Sequence, residues 1–154
     1  RTITIPGADR RQFLKNAAAA TGTALAAAPA IAKTRRSANE SLRVGLLGMG
    51  GRMRAHVTAL AQMKEDVEIV AICDANSATA KQAAADFHVS AVFSDVEALL
   101  SSRTKFEAAV ISTTNATHAP ISVALLEAGK NVYCEKPPAS DVAGAEHILE
   151  TARN

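Results

Sequence analysis

Strand-like and helix-like patterns alternate along residues 42–154. A glycine turn closes the first strand pattern, and an acidic residue closes the second. Together these predict an α/β fold: a doubly wound parallel sheet with helices on both faces. Residues 43–47 form a short apolar run ending in Gly48-Met49-Gly50-Gly51. Apolar residues then recur at helical spacing through residues 52–63 (Ala55, Ala59, Leu60, Met63). Residues 67–73 are rich in β-branched side chains and predict a second strand, with Asp74 at its end. The alanine-rich residues 77–87 predict a helix, Val92-Phe93 a short third strand, and Asp95 the cap of a helix through Leu100. Residues 106–112 read as a buried fourth strand. Residues 119–128 read as a helix that Gly129 stops, and residues 131–134 as a fifth strand. Ser140 or Asp141 caps a last helix, expected to run on through Arg153.

Composition narrows the function. The chain has 154 residues, 48% of them hydrophobic, 21% charged and 3% aromatic. Such apolar content excludes a disordered or collagen-like chain. With so few aromatic rings, a single-strand nucleic-acid reader that stacks bases is not expected. Two cysteines cannot supply a disulfide framework or a four-thiolate zinc site, and no His/Cys/carboxylate set has metal spacing.

Charge is unevenly spread. Residues 1–40 hold seven Lys/Arg against Asp9 and Glu40, whereas the remainder holds ten basic and thirteen acidic residues. The basic segment Asp9-Arg10-Arg11-Gln12-Phe13-Leu14-Lys15 precedes residues 17–32, where ten of sixteen residues are alanine. Ala30-Ile31-Ala32 has the small-x-small form of a signal-peptidase site. The Arg-Arg-x-Phe-Leu-Lys string resembles a twin-arginine export signal. Residues 1–32 are therefore expected to be an export leader, with the twin-arginine machinery as partner and a periplasmic or otherwise exported destination. The leader is too short and weakly apolar for a stable membrane anchor. Residues 33–41 read as a linker and residues 42–154 as the folded domain, expected to be truncated at its C-terminal end.

The chemistry sits where the strands end. A glycine turn between strand and helix lets a pyrophosphate approach the backbone, and the helix N-terminus supplies N–H donors and a positive dipole end. Asp74, 21 residues after Met53, stands where a carboxylate accepts from ribose hydroxyls, and no adjacent arginine is present to grip a 2′-phosphate. NAD is expected in preference to NADP. Residues 113–118 (Thr-Thr-Asn-Ala-Thr-His) follow the fourth strand, and Glu135-Lys136-Pro137-Pro138 follow the fifth. In open α/β sheets ligands bind outside these carboxyl ends.

Three strings carry a family resemblance: residues 43–51 (Arg-Val-Gly-Leu-Leu-Gly-Met-Gly-Gly), residues 112–118, and residues 128–137 with their Glu-Lys-Pro. They resemble the Gfo/Idh/MocA family of NAD(P)-dependent oxidoreductases acting on sugars, cyclitols and related polyols. The resemblance covers residues 42–154 and implies a Rossmann-type sheet with strand order 3-2-1-4-5. It implies that Gly48, Met49, Gly50, Gly51 and Arg52 line the pyrophosphate turn and that Asp74 holds the adenosine ribose. Thr113, Thr114, Asn115 and His118 would pass along the nicotinamide half, and Glu135 and Lys136 would meet the nicotinamide ribose and a sugar-like substrate. Lys136 is the implied catalytic residue. A separate substrate domain would follow, and the full-length protein would form a homo-oligomer. Met53 occupies the usual small third position of the turn, which sets the first helix farther from the strand. An NAD-dependent glycosidase working by transient C3 oxidation, or a non-catalytic dinucleotide-binding protein, stays open on the same residues. His56 reads as a packing residue, and Cys73 and Cys134 as two free buried thiols.

Overall fold

A computed structural model describes residues 41–154; the expected leader and all but the last residue of the expected linker lie outside the described residues. Five strands and five helices alternate: β1 (Leu42–Leu47), α1 (Met53–Ala61), β2 (Val67–Cys73), α2 (Ser77–Asp86), β3 (Val92–Phe93), α3 (Val96–Ser101), β4 (Ala108–Ile111), α4 (Asn115–Glu127), β5 (Asn131–Cys134) and α5 (Val142–Thr151). The strands form one parallel sheet in the order β3-β2-β1-β4-β5, as expected. Strand order reverses between β1 and β4, whose register pairs Gly45 with Ala109 and Leu47 with Ile111.

Alternate residues of the same strands feed two cores, because successive side chains in a strand point to opposite faces. Val44 and Leu46 of β1, Ile72 of β2 and Val110 of β4 meet α1 and α2 on one face. Leu47, Ala71, Cys73, Ala109 and Ile111 meet Leu99 of α3 and Leu125 of α4 on the other. Met53 lies in the first core at 1% exposure. The extra space between first helix and strand expected from this residue is filled by its own thioether side chain.

Helix starts follow from caps. Asn76 Oδ1 accepts from Ala78 and Thr79 N–H, Asp95 Oδ1 from Ala98 N–H, and Asp141 Oδ1 from Gly144 N–H. The last helix ends at Thr151, short of Arg153. Helix α4 begins at Asn115, a turn before the expected residue 119, and carries Pro120 inside it. Proline removes one N–H, whose partner would be the carbonyl of Ala116. Both residues are exposed, so water can serve that carbonyl. At the other end Gly129, at φ +70°, closes α4: its N–H donates to Leu126 O and the Lys130 N–H to Leu125 O. Strand β4 is shorter than residues 106–112. Among the described residues, no helix is long and apolar enough to cross a membrane.

The two left-handed glycines make a testable contrast. A Cβ on Gly129 would meet nothing within 4 Å, whereas one on Gly48, at φ +82°, would lie 2.7 Å from the backbone of Ser112 and Thr113. Gly129→Ala should cost about 1 kcal/mol, and Gly48→Ala more than about 2 kcal/mol, because there backbone must move as well. Equilibrium urea unfolding of the two variants checks the order.

Candidate functional site

Strand β1 delivers the chain into the glycine turn at the point where strand order reverses. Gly48 N–H donates to Cys73 O at 2.8 Å, and Ser112 N–H to Leu47 O at 2.8 Å, so the ends of β1, β2 and β4 are locked together. Beyond Gly48 the backbone opens out. The N–H groups of Gly50, Gly51 and Arg52 donate to nothing among the described residues, and α1 has no side-chain cap. A Cβ at Gly50 or Gly51 would meet nothing within 4 Å. Free donors at a helix N-terminus, with open space before them, fit an anionic group such as a pyrophosphate.

Asp74 holds the turn in shape. Its Oδ2 accepts from Met49 N–H at 2.7 Å, and its Oδ1 from Asn76 N–H at 2.8 Å. The carboxylate is only half-buried, and each oxygen keeps a lone pair for a further donor such as a ribose hydroxyl. Beside it lies a cavity of about 550 Å³, lined by Gly48, Gly50, Asp74, Ser94, Asp95, Thr113, Thr114 and Thr117 among others. Thr117 Oγ1 lies 2.8 Å from Thr113 Oγ1 and 2.8 Å from Thr114 O, which ties the start of α4 to the cavity wall. Cys73 also lines it; burial, then the charges of Asp95 and Asp74, push this thiol up to about 11, so it stays protonated. Cys134 is free as well but only half-buried, unlike the buried thiol expected; burial also raises its pKa.

At the end of β5 the arrangement departs from the sequence reading. Glu135 is 7% exposed. Its Oε1 accepts from Arg52 Nε at 2.6 Å and lies 2.7 Å from His56 Nε2, while its Oε2 accepts from the Lys136 N–H at 3.0 Å. The Arg52 hydrogen bond holds the Glu135 carboxyl down at about 2, against an ordinary 4.5, with Lys136 N–H and His56 helping and desolvation opposing. An ionised carboxylate accepts only, so His56 must carry its proton on Nε2. The Lys136 side chain is exposed and has no hydrogen-bond or ion-pair partner among the described residues.

His118 is 1% exposed, with Nδ1 2.7 Å from Pro137 O and Nε2 3.2 Å from Thr113 O. It braces the loops after β4 and β5 against each other. Glu135 likewise bonds Arg52 and His56 within the protein. Of the other anticipated residues, Gly48, Gly50, Asp74, Thr113 and Thr114 share the cavity, Met49 joins through its backbone, and Gly51 and Arg52 start α1. Asn115 is the exposed first residue of α4. Sequence reasoning missed His56, Ser94, Asp95 and Thr117. The one available signal for His56 was its i, i+4 spacing from Arg52, which puts both on one face of a helix. Among the described residues no three His, Cys, Asp or Glu side chains group to hold a metal ion.

The Glu135 network makes stability depend on acid. Because its folded pKa is depressed, the carboxylate's contribution is complete above its ordinary 4.5 and is lost as pH falls through about 2. Glu135→Gln should lower the urea midpoint at about pH 7 and shrink the drop between about pH 7 and about pH 3. An unchanged drop would remove the carboxylate from this role.

Comparison with known proteins agrees with this geometry. A model described as an oxidoreductase family with an NAD-binding Rossmann fold matches residues 42–154. Inositol 2-dehydrogenase of Salmonella typhimurium (strain LT2) is 32% identical over 111 residues, covering 71% of this chain and 33% of that protein. Levoglucosan dehydrogenase, solved in complex with NADH, is 30% identical at a TM-score of 0.68, covering 75% of this chain and 32% of the other. The WlbA dehydrogenase from Bordetella pertussis, in complex with NADH and UDP-GlcNAcA, is 27% identical at a TM-score of 0.70, covering 74% and 34%. The chain thus spans about a third of the length of the relatives it matches. On the match over residues 42–154, the chain belongs to the Gfo/Idh/MocA oxidoreductase family with its NAD-binding Rossmann fold.

Proposed function

We propose that residues 42–154 hold NAD for an exported oxidoreductase that removes a hydride from a CH–OH group of a sugar, cyclitol or related polyol. The observation that carries the reading is the cavity at the strand-order reversal, with Asp74 and Gly50 in its wall and the free N–H groups of Gly50, Gly51 and Arg52 following in sequence. Gly50, Gly51 and Arg52 would receive the pyrophosphate through their N–H groups, and Asp74 would accept from the adenosine ribose. Asp95 joins Asp74 in lining this cavity. Two carboxylates there disfavour a 2′-phosphate, which supports NAD over NADP. Bound NAD would supply the hydride acceptor.

Lys136 carries the remaining chemistry of this chain. An ammonium beside the substrate hydroxyl would stabilise the alkoxide that forms as the O–H proton leaves to solvent, before the C–H bond gives up its hydride and the carbonyl forms. Relatives named as inositol 2-dehydrogenase and levoglucosan dehydrogenase support a polyol or sugar substrate. Export rests on the leader: Arg10 and Arg11, the alanine-rich residues 17–32 and the Ala-x-Ala end. A route that carries folded proteins would let the enzyme leave with its nucleotide already loaded.

Three outcomes test the proposal. Calorimetry should show NAD binding tighter than NADP, and Asp74→Ala should weaken NAD by about tenfold or more. In the full-length enzyme Lys136→Ala should keep NAD affinity but lower kcat by about a hundredfold or more. With residues 1–40 fused to a folded reporter, replacing Arg10 and Arg11 by Lys should abolish its appearance outside the cytoplasm; undiminished export would sink the leader reading.

A further inference from the structure

We propose that Glu135 is a positioning residue, fastening the Lys136 backbone to α1 through Arg52 and His56 so that glycine turn and lysine hold one geometry. This rests on the reading of Lys136 and the turn given above. The two Glu135 oxygens meet three groups: Arg52 Nε and His56 Nε2 on Oε1, and the Lys136 N–H on Oε2. Arg52 and His56 lie four residues apart, at the N-cap and in the first turn of α1, and reach together across to the end of β5. The His56 ring is itself held, edge-on to Tyr133 with centroids 5.3 Å apart and planes at 70°.

The far side of Lys136 is pinned separately. Pro137 O lies 2.7 Å from His118 Nδ1, and that ring is buried. The main chain of Lys136 therefore runs between two anchors, one on α1 and one on α4, while its ammonium stays free. A reacting group needs this combination, because positional error of the backbone is multiplied along a flexible four-carbon stem. Arg52 bonds Glu135 through Nε alone and is 63% exposed. Its terminal nitrogens stay available to an anion in the glycine turn, so one guanidinium would touch the cofactor's phosphate and the tether together.

Amide hydrogen exchange by NMR on the full chain tests the tether. Arg52→Met and His56→Ala should each speed exchange of the Lys136 amide by about tenfold or more, with Val110 and Ile111 of β4 unchanged. His56→Gln, which returns an N–H near the Nε2 position, should restore slow exchange. Unchanged Lys136 exchange in both Arg52→Met and His56→Ala overturns the tether. Should a variant lose protection at Val110 and Ile111 as well, the unmodified chain decides. Its ring nitrogen spectrum should show His56 protonated on Nε2 at neutral pH, and a bare Nε2 overturns the proposal. If NAD gives no heat with the unmodified chain, the cofactor reading falls, while these outcomes still judge the tether.

Discussion

The contact on which the rest of the molecule depends is the approach of Gly48 to the backbone of Ser112 and Thr113. Here β1 and β4 end side by side, and a Cβ would sit 2.7 Å from main-chain atoms. The approach lies where strand order reverses, at the paired ends of β1 and β4. The cavity, Asp74 and the loop after β4 all take their places from it. Asp74 adds a second lock by holding the Met49 N–H, so the residue expected to meet a ribose first builds the turn that would receive the phosphates. Backbone shape thus draws on the carboxylate that the proposal also assigns to the ribose.

A second carboxylate organises the other end of the site. Glu135 comes from the last strand, and Arg52 and His56 from the first helix; 83 and 79 residues separate the pairs. Closing so long a loop on a single charge cluster is costly in chain entropy unless the sheet has already brought the ends together. The sheet does so, because β5 lies beside β4 and β4 beside β1. The cluster therefore refines a geometry that the cores establish.

This division explains what was legible beforehand. The strands stand out as short apolar runs, since strands covered on both faces carry side chains for two cores. Gly48 and Asp74 follow from local rules about turns and strand ends, and strand order followed from the family resemblance. The internal role of Glu135 and the bracing by His118 depend on contacts between distant segments, which no local spacing encodes, and the spacing of His56 from Arg52 gives a shared helix face but not the partner across from it. Helix α4 begins a turn before the expected residue 119, and the exposed Pro120 in its second turn leaves only one carbonyl for water to satisfy. Met53 shows a third case: a long side chain at a position expected to be small found room in the core.

Helix α5 has no buried residue and rests on α4, with Gly144 among its contacts: a Cβ there would lie 3.2 Å from the Cβ of Ala119. Such a helix contributes little to the two cores and packs chiefly on α4. In a hierarchy of local openings it belongs at the low-energy end, below the sheet. It also begins a few residues beyond Lys136. The molecule therefore places a helix that lies outside both cores directly after the loop that carries this lysine.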